Sequence, residues 1–311
     1  DLNAYLNAQP IVLALRAGAQ VVVTGRTGDP SLTLAPLIHH FNWSLTDWQR
    51  LAVGATAGHL LECGAQITGG YFYDPGYKDI PDPAQIGFPI AEVHEDGSLF
   101  ITKALRTGGL VTPETVKEQL LYEIHDPANY ITPDVILDFT QITIESAGEN
   151  RVRVLGIQGK PAPQTVKVTV CFEGGWLGEG EISYAGHNAV ARARKAAEVL
   201  RQRVAMRQLP VQLRIDLIGV ASVHDSDDGH LWQSSDAMPH DVRVRLAASA
   251  AMHDDADQAA REVLALYCCG PAGGGGVRIR TTQRIRTQSY LIDPGLLSMG
   301  FSFLPTPQVS T

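Results

Sequence analysis

"RAGAQVVVTGRTGDPS", residues 16–31, decides how the first half of the chain is read. Its centre, "VVVTG" (21–25), is a short apolar run closed by glycine, the pattern of a strand buried in a parallel sheet. Tyr5, Ile11, Val12 and Leu15 predict a helix over 4–17 before it, with Pro10 in the first turns or kinking it. A second helix is predicted after it, from Ser31 to Phe41. Helix–strand–loop–helix is the rhythm of an α/β layer, whose ligands commonly sit at the carboxyl ends of strands. Candidate chemistry therefore falls in "TGRTGDPS" (24–31). Arg26 suits an acidic substrate, while Asp29-Pro30-Ser31 reads either as a turn and helix cap or as part of the site.

Outward from this stretch, a helix is expected over 46–63, with Trp48, Ala52, Ala55, His59 and Glu62 in one stripe. His59 and Glu62 stand at i,i+3 and are neighbours on the helix surface. They suit an acid/base pair, two metal ligands, or a buried histidine bonded to a carboxylate. The turn-rich segment 68–89 is long for a plain connection and reads as a lid or binding loop. "IAEVHEDGSLFITK" (90–103) reads as a hairpin turning at Asp96-Gly97. Thr112, Pro113 and Glu114 mark a helix start, and Val116, Leu120 and Ile124 form its apolar stripe. Lys117 flanks that stripe and either reaches a cleft or snorkels to solvent; Glu118, Glu123, His125 and Asp126 belong to the same stretch.

The texture changes near 126–140. Beyond it "RVRVLGI" and "TVKVTVCF" alternate as half-exposed antiparallel strands do, and helices are expected at 188–206 and 255–267. The expected fold class is α/β: a partial Rossmann-like parallel-sheet layer followed by an α+β part with mostly antiparallel strands. The expected organisation is 1–130, 131–294, and a loose tail over 295–311. A chain opening at Asp1 without methionine, and already inside a predicted helix by Ala4, reads as part of a longer protein or a matured one.

"YCCGPAGGGGVRIR" (267–280) poses a separate question. Its glycines follow a helix and precede a strand, the reverse of a P-loop or dinucleotide fingerprint. Gly273, Gly274 and Gly275 therefore read as a backbone hinge or, with Arg278, as an anion cradle. Arg278, Arg280, Arg284 and Arg286 share strand parity. Glu179 and Glu181 of "GEGEISY" read as a carboxylate pair or a solvated face.

With 311 residues, 44% hydrophobic, 19% charged and net charge −8, the composition is that of a globular protein without a general affinity for nucleic acid. No apolar run approaches a membrane span, and no signal pattern opens the chain, so a cytoplasmic protein is expected. The 4 cysteines make no disulfide framework and lack zinc-ligand spacing, so no metal is expected.

Several long stretches resemble the acyclic terpene utilisation A (AtuA-like) family: "NAYLNAQPIVLALRAGAQVVVTGRTGDPSLTLAPLIHHFNW", "AGHLLECGAQITGGYF", "GGLVTPETVKEQLLYEIHDPANYITPDV", "GEGEISYAG" and "GPAGGGGVR". The resemblance runs from about residue 3 to 278. It implies bacterial catabolism of citronellol- and geraniol-type terpenes, with substrates carried as branched acyl-CoA thioesters. Family members normally carry a further α/β segment before the match. Under that reading the partner is an acyl-CoA or small carboxylate, with coenzyme A as part of the substrate and no other cofactor. His59 and Glu62 are the acid/base pair of a hydratase- or lyase-type reaction, Arg26 the carboxylate anchor and the arginine strand the phosphate contact. A homo-oligomer is the default. The rival is a non-catalytic accessory or scaffold subunit in which His59 and Glu62 are structural.

Overall fold

The computed structural model describes residues 1–304. Its contacts divide the chain into two compact units. The first is Leu2–Val170 with residues from Ser289 on; the second is Asp1 with Cys171–Gln288. The change of texture at 126–140 falls inside the first unit, because strands after it pair back onto strands before it.

In the first unit, β1 (Leu2–Ala4) pairs antiparallel with the start of the long β9 (Val166–Ala185). The helix expected from residue 4 therefore begins later, as α1 (Gln9–Arg16), with Pro10 in its first turn. Proline there forfeits no helical hydrogen bond. α2 (Ser31–Phe41) and α3 (Trp48–Leu61) follow. Every residue of α3 from Leu51 to Leu60 is buried, so it is a central helix rather than one with a single inward stripe.

The parallel layer is not formed among the described residues: each strand pair whose register is resolved is antiparallel. Residues 21–25 have strand-like composition but no ladder among the described residues. Val22 packs on the core, whereas Val21 and Val23 are 81% and 90% exposed. A β-branched run becomes a strand only when a neighbour takes its backbone groups. The nearest parallel contact is the isolated bridge Leu6–Thr27, carried by Gly28 N–H donating to the Leu6 carbonyl at 2.8 Å.

β2 (Pro89–Val93) and β3 (Leu99–Lys103) form the hairpin expected at Asp96-Gly97, where Gly97 takes φ +86°. α4 (Pro113–Leu121) starts at Thr112 as read, with Thr112 and Thr115 exchanging side-chain to backbone hydrogen bonds. β4 (Tyr130–Ile131), β5 (Ile136–Asp138), β6 (Thr143–Ser146), β7 (Val152–Leu155) and β8 (Gln158–Lys160) complete two small sheets, ordered β2-β3-β7-β6 and β4-β5-β8.

The second unit is the expected α+β layer. β9, β10 (Gln212–Ile218), β11 (Asp241–Ala250) and β12 (Gly275–Ile292) form its sheet, in which β9 pairs with both β11 and β12. α5 (Ala189–Met206) and α7 (His253–Cys269) bury Ala193, Ala197, Leu200, Ala259 and Val263 against Ile182, Val244 and Leu246. The short α6 (His230–Ser234) adds Trp232 to this core. Residues of opposite parity give the sheet a charged face. Arg245 bridges Glu179 at 2.6 Å and Asp216 at 2.8 Å, Arg214 pairs with Asp216 at 2.8 Å, and Arg280 also reaches Glu179. Glu179 is thus a largely buried ion-pair node rather than a solvated carboxylate.

Candidate functional site

One glycine sets the local geometry. A Cβ on Gly58 of α3 would lie 2.6 Å from the Pro30 carbonyl oxygen and 2.7 Å from Pro30 Cα. Only glycine permits that approach. It presses the 26–31 loop against the last turn of α3, which carries His59 and is followed directly by Glu62, the extended residue that caps the helix. The helix ends just beyond, where Cys63 and Gly64 take φ +104° and +57°. Asp134, half-buried, accepts the Ser31 hydroxyl and the Ala8 N–H and ties the start of α2 to α1.

His59 lies inside the unit, 1% exposed, with its ring 5.1 Å from that of Tyr130 and 6.2 Å from that of Phe139. Its Nε2 is 3.0 Å from the Leu120 carbonyl oxygen. A carbonyl can only accept, so Nε2 carries the hydrogen and Nδ1 is the bare acceptor of the neutral ring. Nδ1 has no hydrogen-bond partner and faces Glu62 Oε2 at 3.9 Å. Burial holds the His59 pKa below its usual value, against opposing pulls from backbone hydrogen bonds and Glu123. The Gln119 side-chain amide donates to the carbonyls of both His59 and Glu62, at 3.1 and 3.0 Å, locking this turn.

Glu62 keeps a quarter of its side chain in solvent. Burial, then the negative charges of Asp29 and Glu123, push its pKa from 4.5 to about 7, with Arg26 pulling the other way. Arg26 pairs with Asp29 at 3.1 Å and lies over the Tyr5 ring at 4.2 Å. Asp29 therefore spends its carboxylate on Arg26, and Pro30 stands at the helix start without a side-chain cap. Burial and the same three carboxylates raise the Tyr130 hydroxyl pKa. Burial also raises the Cys63 thiol, so this exposed cysteine is not an activated nucleophile.

The structure thus gathers Arg26, Asp29, His59 and Glu62, and adds Glu123 and Tyr130 to them. Glu123 was visible in the sequence only as one of several charges after α4. Tyr130 gave no local signal, because its place depends on how β4 folds back. Lys117 stands on the exposed side of α4, opposite the buried Thr115, Val116, Gln119 and Leu120.

Gly273, Gly274, Gly275 and Arg278 belong to the second unit. There the chain turns from α7 into β12, with Gly273 at φ +78° and Gly276 at +67°. The Val277 N–H donates to the Tyr267 hydroxyl at 3.3 Å and the Arg192 guanidinium to the Ala272 carbonyl at 2.7 Å, contacts of a packed turn. Arg278 lines a shallow cleft of about 280 Å³ with Glu179, Glu181 and Arg280. A wider cleft, about 630 Å³, lies between α5 and α6. Its cations are engaged: Arg194 with the Trp232 and Ser235 carbonyls, Lys195 with Glu198, and Arg201 with the Asp228 carbonyl. Among the described residues no group of three or more His, Cys, Asp or Glu could hold a metal ion, and no helix is long and apolar enough to cross a membrane.

Over residues 1–299 the chain matches the family described as acyclic terpene utilisation family protein AtuA. It belongs to that family. No curated protein and no solved structure matches it. Family membership ties this AtuA chain to acyclic terpene utilisation, while the residues of the site must be argued from their chemistry.

Proposed function

We propose that this AtuA protein carries out acid/base chemistry on a branched acyl-CoA or related small carboxylate in acyclic terpene catabolism, a hydration, dehydration or carbon–carbon cleavage. Glu62 carries the reading: it is partly exposed and its pKa of about 7 is balanced between proton donor and acceptor at neutral pH. Arg26, half exposed beside it, is the anchor for a substrate carboxylate or thioester oxygen. Asp29 orients Arg26, and His59 supports Glu62 from the buried side. In the second unit, Arg278 and the turn at Gly273–Gly275 are proposed separately as an anion contact, supported by the cleft that Arg278 lines.

The test is turnover of a panel of branched enoyl- and hydroxyacyl-CoA thioesters, followed by mass spectrometry, with wild type and Glu62→Gln compared. Loss of about 10²–10⁴-fold with the fold intact is expected. Turnover by wild type that survives Glu62→Gln removes Glu62 from the chemistry. The exposed Val21 and Val23 support a second reading, an accessory subunit that covers this strip with a partner. That reading expects no turnover by wild type alone, and complex formation abolished by Val21→Ser with Val23→Ser.

A further inference from the structure

Resting on the assignment of Glu62 as the acid/base group, we propose that His59 is its positioning residue: a neutral imidazole whose bare Nδ1 accepts a hydrogen bond from the protonated Glu62 carboxyl, without taking its proton, and so presents that carboxyl to the substrate. Three observations carry this. The Leu120 carbonyl, 3.0 Å from Nε2, fixes the tautomer and leaves Nδ1 as a lone pair. Nδ1 is buried without a partner, a condition that is costly unless a donor supplies it. The group facing it is the Glu62 carboxyl, at 3.9 Å, one small side-chain adjustment from a hydrogen bond.

A carboxylate cannot satisfy that lone pair, because two acceptors face each other. A carboxylic acid can. Protonation of Glu62 is therefore favoured by His59 in addition to burial. The other groups around Glu62 are Arg26 and Asp29 on the loop before α2, Glu123 and Tyr122 after α4, Tyr130 on β4, and Cys63 next in sequence. Asp29 and Glu123 act in the same direction and Arg26 opposes them. In the reaction Glu62 alone gains and loses the proton. His59 ends each step as it began, neutral and bonded to Leu120, and the Gln119 amide keeps both backbone carbonyls in register.

The experiment is nitrogen-15 NMR of histidine-labelled protein, with the His59 resonance assigned by its absence in His59→Gln, alongside carbon-13 titration of the Glu62 carboxyl. Below the Glu62 midpoint Nε2 is expected protonated and Nδ1 hydrogen-bonded but unprotonated. The Nδ1 shift then moves with the same midpoint as the Glu62 carboxyl and becomes flat in Glu62→Gln. In His59→Phe, which keeps a ring but removes the acceptor, the Glu62 midpoint falls by about one pH unit. An imidazolium at neutral pH, a proton on Nδ1, an Nδ1 titration that persists in Glu62→Gln, or a Glu62 midpoint unmoved in folded His59→Phe overturns the proposal. Should His59→Phe fail to fold, the wild-type and Glu62→Gln spectra decide alone. None of these readouts uses turnover, so a protein that lacks the proposed activity leaves the coupling measurable.

Discussion

Glu62→Gln should make the protein more stable at alkaline pH, and the size of the effect follows from linkage. In the folded chain Glu62 titrates near 7, against its ordinary 4.5. Below about 4.5 both states hold the proton and the site is at its most favourable. Between 4.5 and 7 the unfolded chain is ionised while the folded one still binds its proton, so stability falls as pH rises; above 7 both are ionised and the deficit is constant. At 1.36 kcal/mol per pH unit the gap bounds the deficit at about 3 kcal/mol, and the exposed part of the side chain reduces it to about 2. Glutamine has nearly the same shape, carries no charge, and can offer an N–H to the His59 lone pair. Urea unfolding of both proteins from pH 4 to 9 should therefore give coincident stabilities at the acid end and a growing advantage for Glu62→Gln, reaching about 2 kcal/mol by pH 8. Titrating groups that do not interact with Glu62 are common to both chains and cancel. A constant difference across the range, or a less stable variant at pH 8, refutes the argument.

Gly58→Ala should destabilise by about 1–3 kcal/mol in the same assay, because the new methyl meets Pro30 backbone rather than a yielding side chain. Gly25→Ala, where a Cβ meets nothing within 4 Å, is its control and should change little. Gly274→Ala should destabilise by about 1–2 kcal/mol through contact with Ile182 Cδ1 at 2.9 Å and the Tyr184 ring at 3.1 Å, measured by thermal unfolding. Its backbone has no positive φ, so packing, not the backbone strain expected from a glycine hinge, is the cause.

Elements with a local signal were legible in the sequence. The hairpin at Asp96-Gly97, the cap at Thr112 and the amphipathic helices α5 and α7 each depend on residues close in the chain. The strand at 21–25 was not, because a strand is a relation between two segments and composition names only one of them. β1 was hidden for the same reason: Leu2–Ala4 is a strand only because Val168–Val170 lies beside it. In the site, the His59–Glu62 pair follows from helical spacing, and Arg26 from its place in the loop. Their approach depends on Gly58, whose missing side chain carries no visible label in a sequence. Glu123 and Tyr130 arrive through turns that no periodicity announces.

The charges around Glu62 also determine what a ligand should do to it. Asp29, Glu123 and Glu62 face a single guanidinium, that of Arg26, which Asp29 already engages. A carboxylate ligand seated against Arg26 would cancel the one charge that favours ionised Glu62 and add a negative charge nearby. Both changes drive Glu62 toward the protonated form, by about one pH unit or more for a like charge within contact range. Binding should therefore draw protons from solution, about 0.4 per site at pH 7, where Glu62 starts half ionised. Calorimetric titration with 3-methylbutanoate in buffers of different ionisation enthalpy measures this uptake directly. It should fade at pH 6, where Glu62 is already mostly protonated and the ligand is still ionised, and vanish at pH 7 in Glu62→Gln. In Arg26→Met the ligand should bind weakly or not at all. Proton release on binding, or uptake that persists in Glu62→Gln, would mean that the carboxylate sits elsewhere and that Glu62 does not sense it.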